Sequence, residues 1–524
     1  MTEQEQKQLG KTLWAIADQL RGSMNADDFR DYMLSFLFLR YLSDHYEQAA
    51  KRELGADCPE REPDEGGGDH QIPARPPLAR WYQENAADVE AFEKQMRRKV
   101  HYVIEPGFLW GSIVRLAKSQ SGALLDTLQK GFKYIEEKSF QSNFQGLFSE
   151  INLASDKLGR KYEDRNAKLC SILSELARGM SLFSTDSDTL GDAYEYLIGQ
   201  FAAGSGKKAG EFYTPGQVST LLARLLAPKK GDTICDPACG SGSLLIKVGR
   251  QADKRDFALF GQESNGTTHA LCRMNMFLHG MDSFRIEWGD TLRHPRLVEH
   301  DQLMKFDIVV ANPPFSLEKW GVEEAEADPF HRYHRGLPPK SKGDYAFISH
   351  MIEIAREGTG RVGVVVPHGV LFRGGAEGKI RQRLIEENLL EAVIGLPANL
   401  FFGTGIPAAI LLFNKGKAHG DVLFIDASRA FESAKNQNVL TDTHVDTIVR
   451  TYRAFQTVAK YAYRATPQEL ADNAYNLNIP RYVDTFEEEA EIDLMAVKKE
   501  IDGLEQQLAT VRAKMDGYLK ELGL

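Results

Sequence analysis

The sequence predicts an α/β fold built on a doubly wound, mainly parallel sheet, with a helical region before it and one long helix after it. Three observations predict this. From about residue 210, short apolar runs alternate with longer helical stretches: Thr233-Ile234-Cys235, Phe257-Ala258-Leu259-Phe260, Phe306 to Val310, Val362 to Val366, Ala392-Val393-Ile394 and Ala409 to Phe413. Strands that read as nearly continuous apolar runs are covered on both faces, as in parallel sheets. Before about residue 170 the apolar spacing is helical, as in Phe29, Tyr32, Met33, Phe36 and Leu37. Near the C-terminus, Leu494, Val497, Ile501, Leu504, Leu508, Val511, Met515, Tyr518 and Leu522 alternate by three and four, which is a heptad seam. The expected domains are residues 1–170 (helical), 171–480 (sheet) and 481–524 (helix). The seam either packs on its own domain or pairs with another chain.

The 524 residues exceed what a single hydrophobic core holds. With 42% hydrophobic and 26% charged residues and no apolar run near the roughly 20 residues that span a bilayer, the composition is that of a soluble globular protein. No membrane association is expected, and the opening Met1-Thr2-Glu3-Gln4-Glu5-Gln6 lacks a secretory pattern, so the expected location is cytoplasmic. Five scattered cysteines read as reduced thiols. Cys235 and Cys239 lack a second ligand pair, so they read as small buried side chains and no metal is expected. A formal net charge of -10 argues against a broad basic surface for phosphates. A chain of this kind acting on DNA needs a partner.

The strongest local signal is Asp236-Pro237-Ala238-Cys239-Gly240-Ser241-Gly242-Ser243, between the first strand and a helix. Small residues let backbone approach a ligand. The segment lacks the Lys-Ser or Lys-Thr of a P-loop and the three spaced glycines of the dinucleotide fingerprint. The second strand ends at Glu263, where a carboxylate accepts from ribose hydroxyls in nucleotide-binding folds. The third ends at Asp290, which either lies near a cofactor adenine or caps a turn. The fourth ends Asn312-Pro313-Pro314-Phe315. An exocyclic amine must have its lone pair freed from the ring before it can attack, and the Asn312 oxygen and Pro313 carbonyl are acceptors suited to its two hydrogens. Two prolines stiffen the chain and remove donors, and Phe315 offers a face to an extruded base.

These residues resemble the amino-methyltransferase family that uses S-adenosylmethionine, in the motif order of its N6-adenine members. Gly210-Glu211-Phe212-Tyr213-Thr214-Pro215-Gly216 and Pro367 to Phe372 extend the resemblance, over essentially the whole chain, to the modification subunit of type I restriction-modification systems. The resemblance implies a Rossmann-like catalytic core and S-adenosylmethionine as cofactor. Glu211, Phe212, Tyr213, Thr214, Pro215, Gly216, Asp236, Gly240, Ser241, Gly242, Ser243, Glu263 and Asp290 are carried over as cofactor-binding. Asn312, Pro313, Pro314 and Phe315 are carried over as catalytic. The implied partners are double-stranded DNA, a specificity subunit, a restriction subunit and a second copy of this chain, two modification subunits joining one specificity subunit.

Two further segments bear on function. Phe330, His331, Arg332, Tyr333, His334, Arg335, Lys340 and Lys342 interleave aromatic and basic groups after Phe315; they suit phosphate contact, or form a solvated loop. Gly204 to Ala209 has the composition of a hinge. Competing readings are a methyltransferase for a protein glutamine, whose Asn-Pro-Pro run usually ends in Tyr, and a scaffold without activity. Phe315, the long helical region and the heptad tail argue against the first, and the intact Asn312 to Phe315 run against the second.

Overall fold

The computed structural model describes residues 11, 14, 26–65, 72–140, 144–148, 151–180, 187–204, 213–252, 256–281, 283–401, 405–434, 437–485 and 494–522. The central sheet has nine strands: β1 (Thr233–Asp236), β2 (Ala258–Glu263), β3 (Phe284–Trp288), β4 (Ile308–Ala311), β5 (Arg361–Pro367), β6 (Leu390–Gly395), β7 (Ala408–Asn414), β8 (Val422–Asp426) and β9 (Ala462–Ala465). Their spatial order is β9-β8-β6-β7-β5-β4-β1-β2-β3. The run β3-β2-β1-β4-β5 is parallel throughout, and β7 lies antiparallel between β5 and β6. The doubly wound sheet is therefore as expected over its first half and mixed over its second. The strands β8 and β9 were not anticipated.

Alternation splits the central strands between two cores. Ile308 and Val310 of β4 join Ile234, Leu259, Ile410 and Leu412 on one face, while Val309 and Ala311 join Cys235, Val364, Leu411 and Phe413 on the other. Because both sides are covered, every residue of β4 is buried, which is why the strand reads as a solid apolar run.

The expected boundary at 170 is not a physical break. It falls inside the helix Tyr162–Met180, whose Leu169, Leu173 and Leu176 keep their apolar face in the helical core. That core also takes Leu190, Leu197 and Phe201 of the next helix, and Leu271, Met274 and Leu278 of the helix Gly266–Leu278 beside the sheet. Sharing a helix joins the helical region and the sheet into one compact unit, Met1–Val483, in which Tyr482 stacks on Phe424 at 3.9 Å. The second unit, Asp484–Leu524, contains the helix Leu494–Glu521. Ile501, Leu504, Leu508, Val511, Met515 and Tyr518 of its seam are 50–65% exposed. Among the described residues no helix is long and apolar enough to cross a membrane.

The aromatic and basic segment after Phe315 is neither a phosphate-facing patch at its arginines nor a solvated loop. Arg332 is 2% exposed. It pairs with Asp328 at 2.8 Å, donates to the Thr291 and Leu292 carbonyls at 2.9 and 2.7 Å, and reaches His350 at 3.2 Å. Arg335 pairs with Glu353 and Glu387, both at 2.7 Å. Trp320, Tyr333, Ala346 and Phe347 pack beneath as a small core of their own. The arginines supply the donors that a compact, carbonyl-rich loop requires; composition alone does not distinguish that role from binding phosphate. Lys342 remains beside the candidate site, 3.4 Å from Ser316 Oγ.

Removing one partner of a buried ion pair costs about 3–5 kcal/mol. Arg332→Ala is therefore expected to lower Tm by several degrees, read by thermal denaturation. An unchanged Tm would show that the Asp328 pair is not holding this segment.

Candidate active site

At the carboxyl end of β1, Asp236 is 1% exposed and accepts the Ala238 N–H at 2.9 Å. The chain then turns with Gly240 and Gly242 in the left-handed region, φ 54° and 78°, conformations that favour glycine. A Cβ on Gly242 would stand 2.8 Å from both Cys272 Sγ and Met276 Cε, so the turn lies directly on the helix Gly266–Leu278. The helix Ser243–Arg250 starts immediately after it.

Glu263, at the tip of β2, braces this turn. One oxygen accepts the Gly240 N–H at 3.0 Å and the other the Asn265 N–H at 2.8 Å. Burial pushes the Asp236 carboxyl up to about 8, with the neighbouring Glu263 adding to the rise and the Ala238 N–H opposing it. Burial raises Glu263 as well, against the backbone N–H groups of Asn265 and Gly240. The buried Asp236 and the half-buried Glu263 thus face one turn.

The carboxyl end of β4 arrives at the same place because β4 pairs with β1, Cys235 opposite Val309. Asn312 is 5% exposed and its Nδ2 donates to Thr214 Oγ1 at 3.1 Å, whereas its Oδ1 is buried without a partner. Thr214, Asp236, Gly240, Ser241, Ser243 and Asn312 line one cavity, with Tyr213 beside them. Pro313 is buried and Pro314 half-buried. The half-buried Phe315 meets Phe401 edge-on at 5.8 Å. Directly after it Ser316 has φ 51°, an uncommon conformation. Its N–H donates to Asp344 at 2.8 Å, and Asp344 is held by Arg373 at 3.0 Å.

The structure thus gathers Tyr213, Thr214, Asp236, Gly240, Ser241, Ser243 and Asn312, with Gly242 and Glu263 supporting the turn. Pro215 and Gly216 begin the helix Gly216–Leu226. Asp290 serves its own turn, accepting from Leu292 and Arg293 at 2.9 and 3.2 Å and lying 3.6 Å from the Arg293 side chain. Glu211 and Phe212 lie outside the described residues, as does most of the expected hinge, 205–209.

Sequence reasoning missed the support behind the turn. Asn275 is fully buried and donates to the Ser241 carbonyl at 2.9 Å. A polar residue amid Met274, Met276, Phe277 and Leu278 was the available signal. Burial raises the Glu195 carboxyl against Lys247 and Arg250, and His279 Nε2 lies 3.9 Å from Glu195. Burial and Arg250 depress His279 to about 3. Asp192 faces Arg250 at 4.0 Å.

Comparison with known proteins agrees with this geometry. The N-6 DNA methylase family model matches residues 185–491, and the HsdM N-terminal domain model residues 9–176. The type I restriction enzyme MpnII methylase subunit of Mycoplasma pneumoniae is 32% identical, covering 98% of this chain and 96% of that one. The crystal structure of a type I restriction-modification methyltransferase subunit from Streptococcus thermophilus has a TM-score of 0.81 at 37% identity, covering 91% of this chain and 100% of that one. A chain from a study of complex assembly in a type I system shares the fold at TM-score 0.61 and 19% identity, covering 98% and 99%. With more than half its length matched by the enzyme's own family model and nearly all of it aligned to a methylase subunit, this chain belongs to the N-6 DNA methylases, among the methylase subunits of type I restriction enzymes.

Proposed function

We propose that this subunit transfers a methyl group from S-adenosylmethionine to N6 of an adenine turned out of duplex DNA, marking host DNA for protection within a type I complex. The observation that carries the reading is the buried, unpartnered Asn312 Oδ1 in the cavity it shares with the glycine-rich turn. A buried acceptor without a donor is costly, and an exocyclic amine supplies the missing donor.

The residues fit the cofactor. Asp236 and Glu263 hold carboxyl groups whose charged forms are disfavoured by burial, and a ligand bringing hydroxyls and positive charge relieves that. When bound, S-adenosylmethionine supplies an electrophilic methyl on a sulfonium. Asn312 Oδ1 and the Pro313 carbonyl would grip the amine hydrogens, so that the nitrogen lone pair leaves conjugation and can take the methyl as the carbon–sulfur bond breaks. Phe315 stacks on the base, and the Ser316–Asp344–Arg373 chain of bonds keeps that ring from drifting. The amine proton leaves to solvent after transfer, so no general base is required.

Partners follow from charge and from the exposed seam. A chain of net charge -10 has little sequence-independent affinity for phosphates, so base reading falls to a specificity subunit. Two modification subunits join it, and a restriction subunit completes the cutting complex. The seam of the helix Leu494–Glu521 is the surface for coiling with the specificity subunit. The proposed organisation is a helical N-terminal region and a catalytic sheet region, joined through the shared helix Tyr162–Met180, followed by a contact region at 481–524.

Co-expression with the specificity subunit is expected to place radiolabelled methyl on adenine N6, with none from the chain alone. Asn312→Ala should lower kcat by about 10²–10³-fold while cofactor binding persists; label on protein instead of DNA would overturn the substrate. Leu508→Asp is expected to abolish co-purification with the specificity subunit and leave the Tm of the compact unit unchanged; retained assembly would place the contact elsewhere. The cofactor-free chain carries a proton at Asp236 that its unfolded form, with an ordinary carboxyl near 3.9, releases. Stability should therefore fall as pH rises from the usual carboxylate range through about 8. Asp236→Asn should flatten that part of the Tm profile, and an identical slope in the variant would refute the burial argument.

A further inference from the structure

We propose that Thr214 is a positioning residue for methyl transfer: its hydroxyl accepts from Asn312 Nδ2 and so holds the amide with Oδ1 free for the target amine. The inference rests on the reading of Asn312 given above and adds a residue that acts through it.

The two ends of an asparagine amide are nearly equal in size and opposite in hydrogen bonding. With Oδ1 toward the cavity the amide accepts from an amine; turned over, it presents two N–H donors to a group that is itself a donor, and the grip fails. A hydroxyl can bond either end of an amide, so the amine, which brings donors, selects the first orientation, and that orientation needs an acceptor for Nδ2. The described contact that supplies one is Nδ2 to Thr214 Oγ1 at 3.1 Å, made between two buried side chains. In the productive orientation this bond satisfies a buried N–H and leaves Oδ1 as the open acceptor. Without the hydroxyl, that same orientation strands a buried N–H, and such a group costs as much as a lost hydrogen bond.

The surroundings hold Thr214 ready for this role. A residue before proline is confined to extended backbone, and Pro215 caps the helix Gly216–Leu226 with φ -51°. The Pro215 carbonyl accepts the Ser219 N–H at 3.0 Å. That helix is anchored by Val218, Leu221, Leu222, Leu225 and Leu226, all buried. Threonine is stiff at χ1, so little rotational freedom is lost when the bond forms. Thr214 thereby links the segment before the sheet to the end of β4, 98 residues later.

The test uses the assembled methylase carrying Thr214→Val or Thr214→Ser. Thr214→Val should lower kcat by about 10- to 100-fold, the scale of one unmet buried bond, with the KM for S-adenosylmethionine within about threefold of the parent. Thr214→Ser, which keeps the hydroxyl, should recover most of the rate. A raised KM with unchanged kcat would make Thr214 a cofactor contact only, and a Ser variant as slow as Val would assign the effect to packing. A double-mutant cycle on Tm with Asn312→Ala reports the pair without any substrate: less-than-additive losses support the bond and additive losses overturn it. Should the parent enzyme put no methyl on DNA, the substrate reading fails while the cycle still decides the role of Thr214.

Discussion

The pairing of β1 with β4 is the constraint on which the site depends. These two strands are far apart in the sequence and lie side by side only because the chain runs outward through β2 and β3, then returns to the other side of β1. At that reversal the loops leaving adjacent strands part in opposite directions and open a crevice. The glycine-rich turn leaves β1 there, and Asn312 leaves β4 there. Neither is a site without the other, because one supplies a place where backbone comes close to a ligand and the other supplies an acceptor aimed at what lies beside it.

Close approach has an electrostatic consequence. Packing the turn onto the helix Gly266–Leu278, with no room for a Cβ at Gly242, also buries the carboxyl groups of Asp236 and Glu263. The fold accepts this because Glu263 finds backbone N–H groups at Gly240 and Asn265 and Asp236 finds one at Ala238. On the proposed reading, the residual penalty is a form of preorganisation, with acceptors held in place before the cofactor arrives. Asn275 extends the same logic one layer back, holding the Ser241 carbonyl from the helix behind.

Much of this was legible in the sequence because the relevant signals are local. Continuous apolar runs give the strands of a doubly covered sheet, and Gly240, Gly242, Glu263 and Asn312 stand where strands end. What was not legible depends on distant partners. The edge strand β9, Ala-Tyr-Arg-Ala, has too little pattern to announce itself, and β8 was overlooked although Val422 to Ile425 is an apolar run. Arg332 and Arg335 look like binding groups in a list of residues and are structural because Asp328, Glu353 and Glu387 meet them in space. Asp290 shows how a strand-tip aspartate supports its own turn, accepting from the N–H groups of Leu292 and Arg293.

The fate of those arginines bears on how the subunit meets DNA. A guanidinium bonded to a carboxylate and two carbonyls has few donors left for phosphate, and freeing it would expose the unpaired Asp328. The segment beside the candidate site therefore contributes shape and rigidity more than charge. In an acidic chain that leaves a steep requirement for attraction from elsewhere, since phosphate affinity scales with the number of cations that displace counterions. On the proposed function, a pocket shaped for one base but weakly attractive to the duplex performs only where another surface holds the DNA against it, and that would confine its chemistry to sites chosen by a partner.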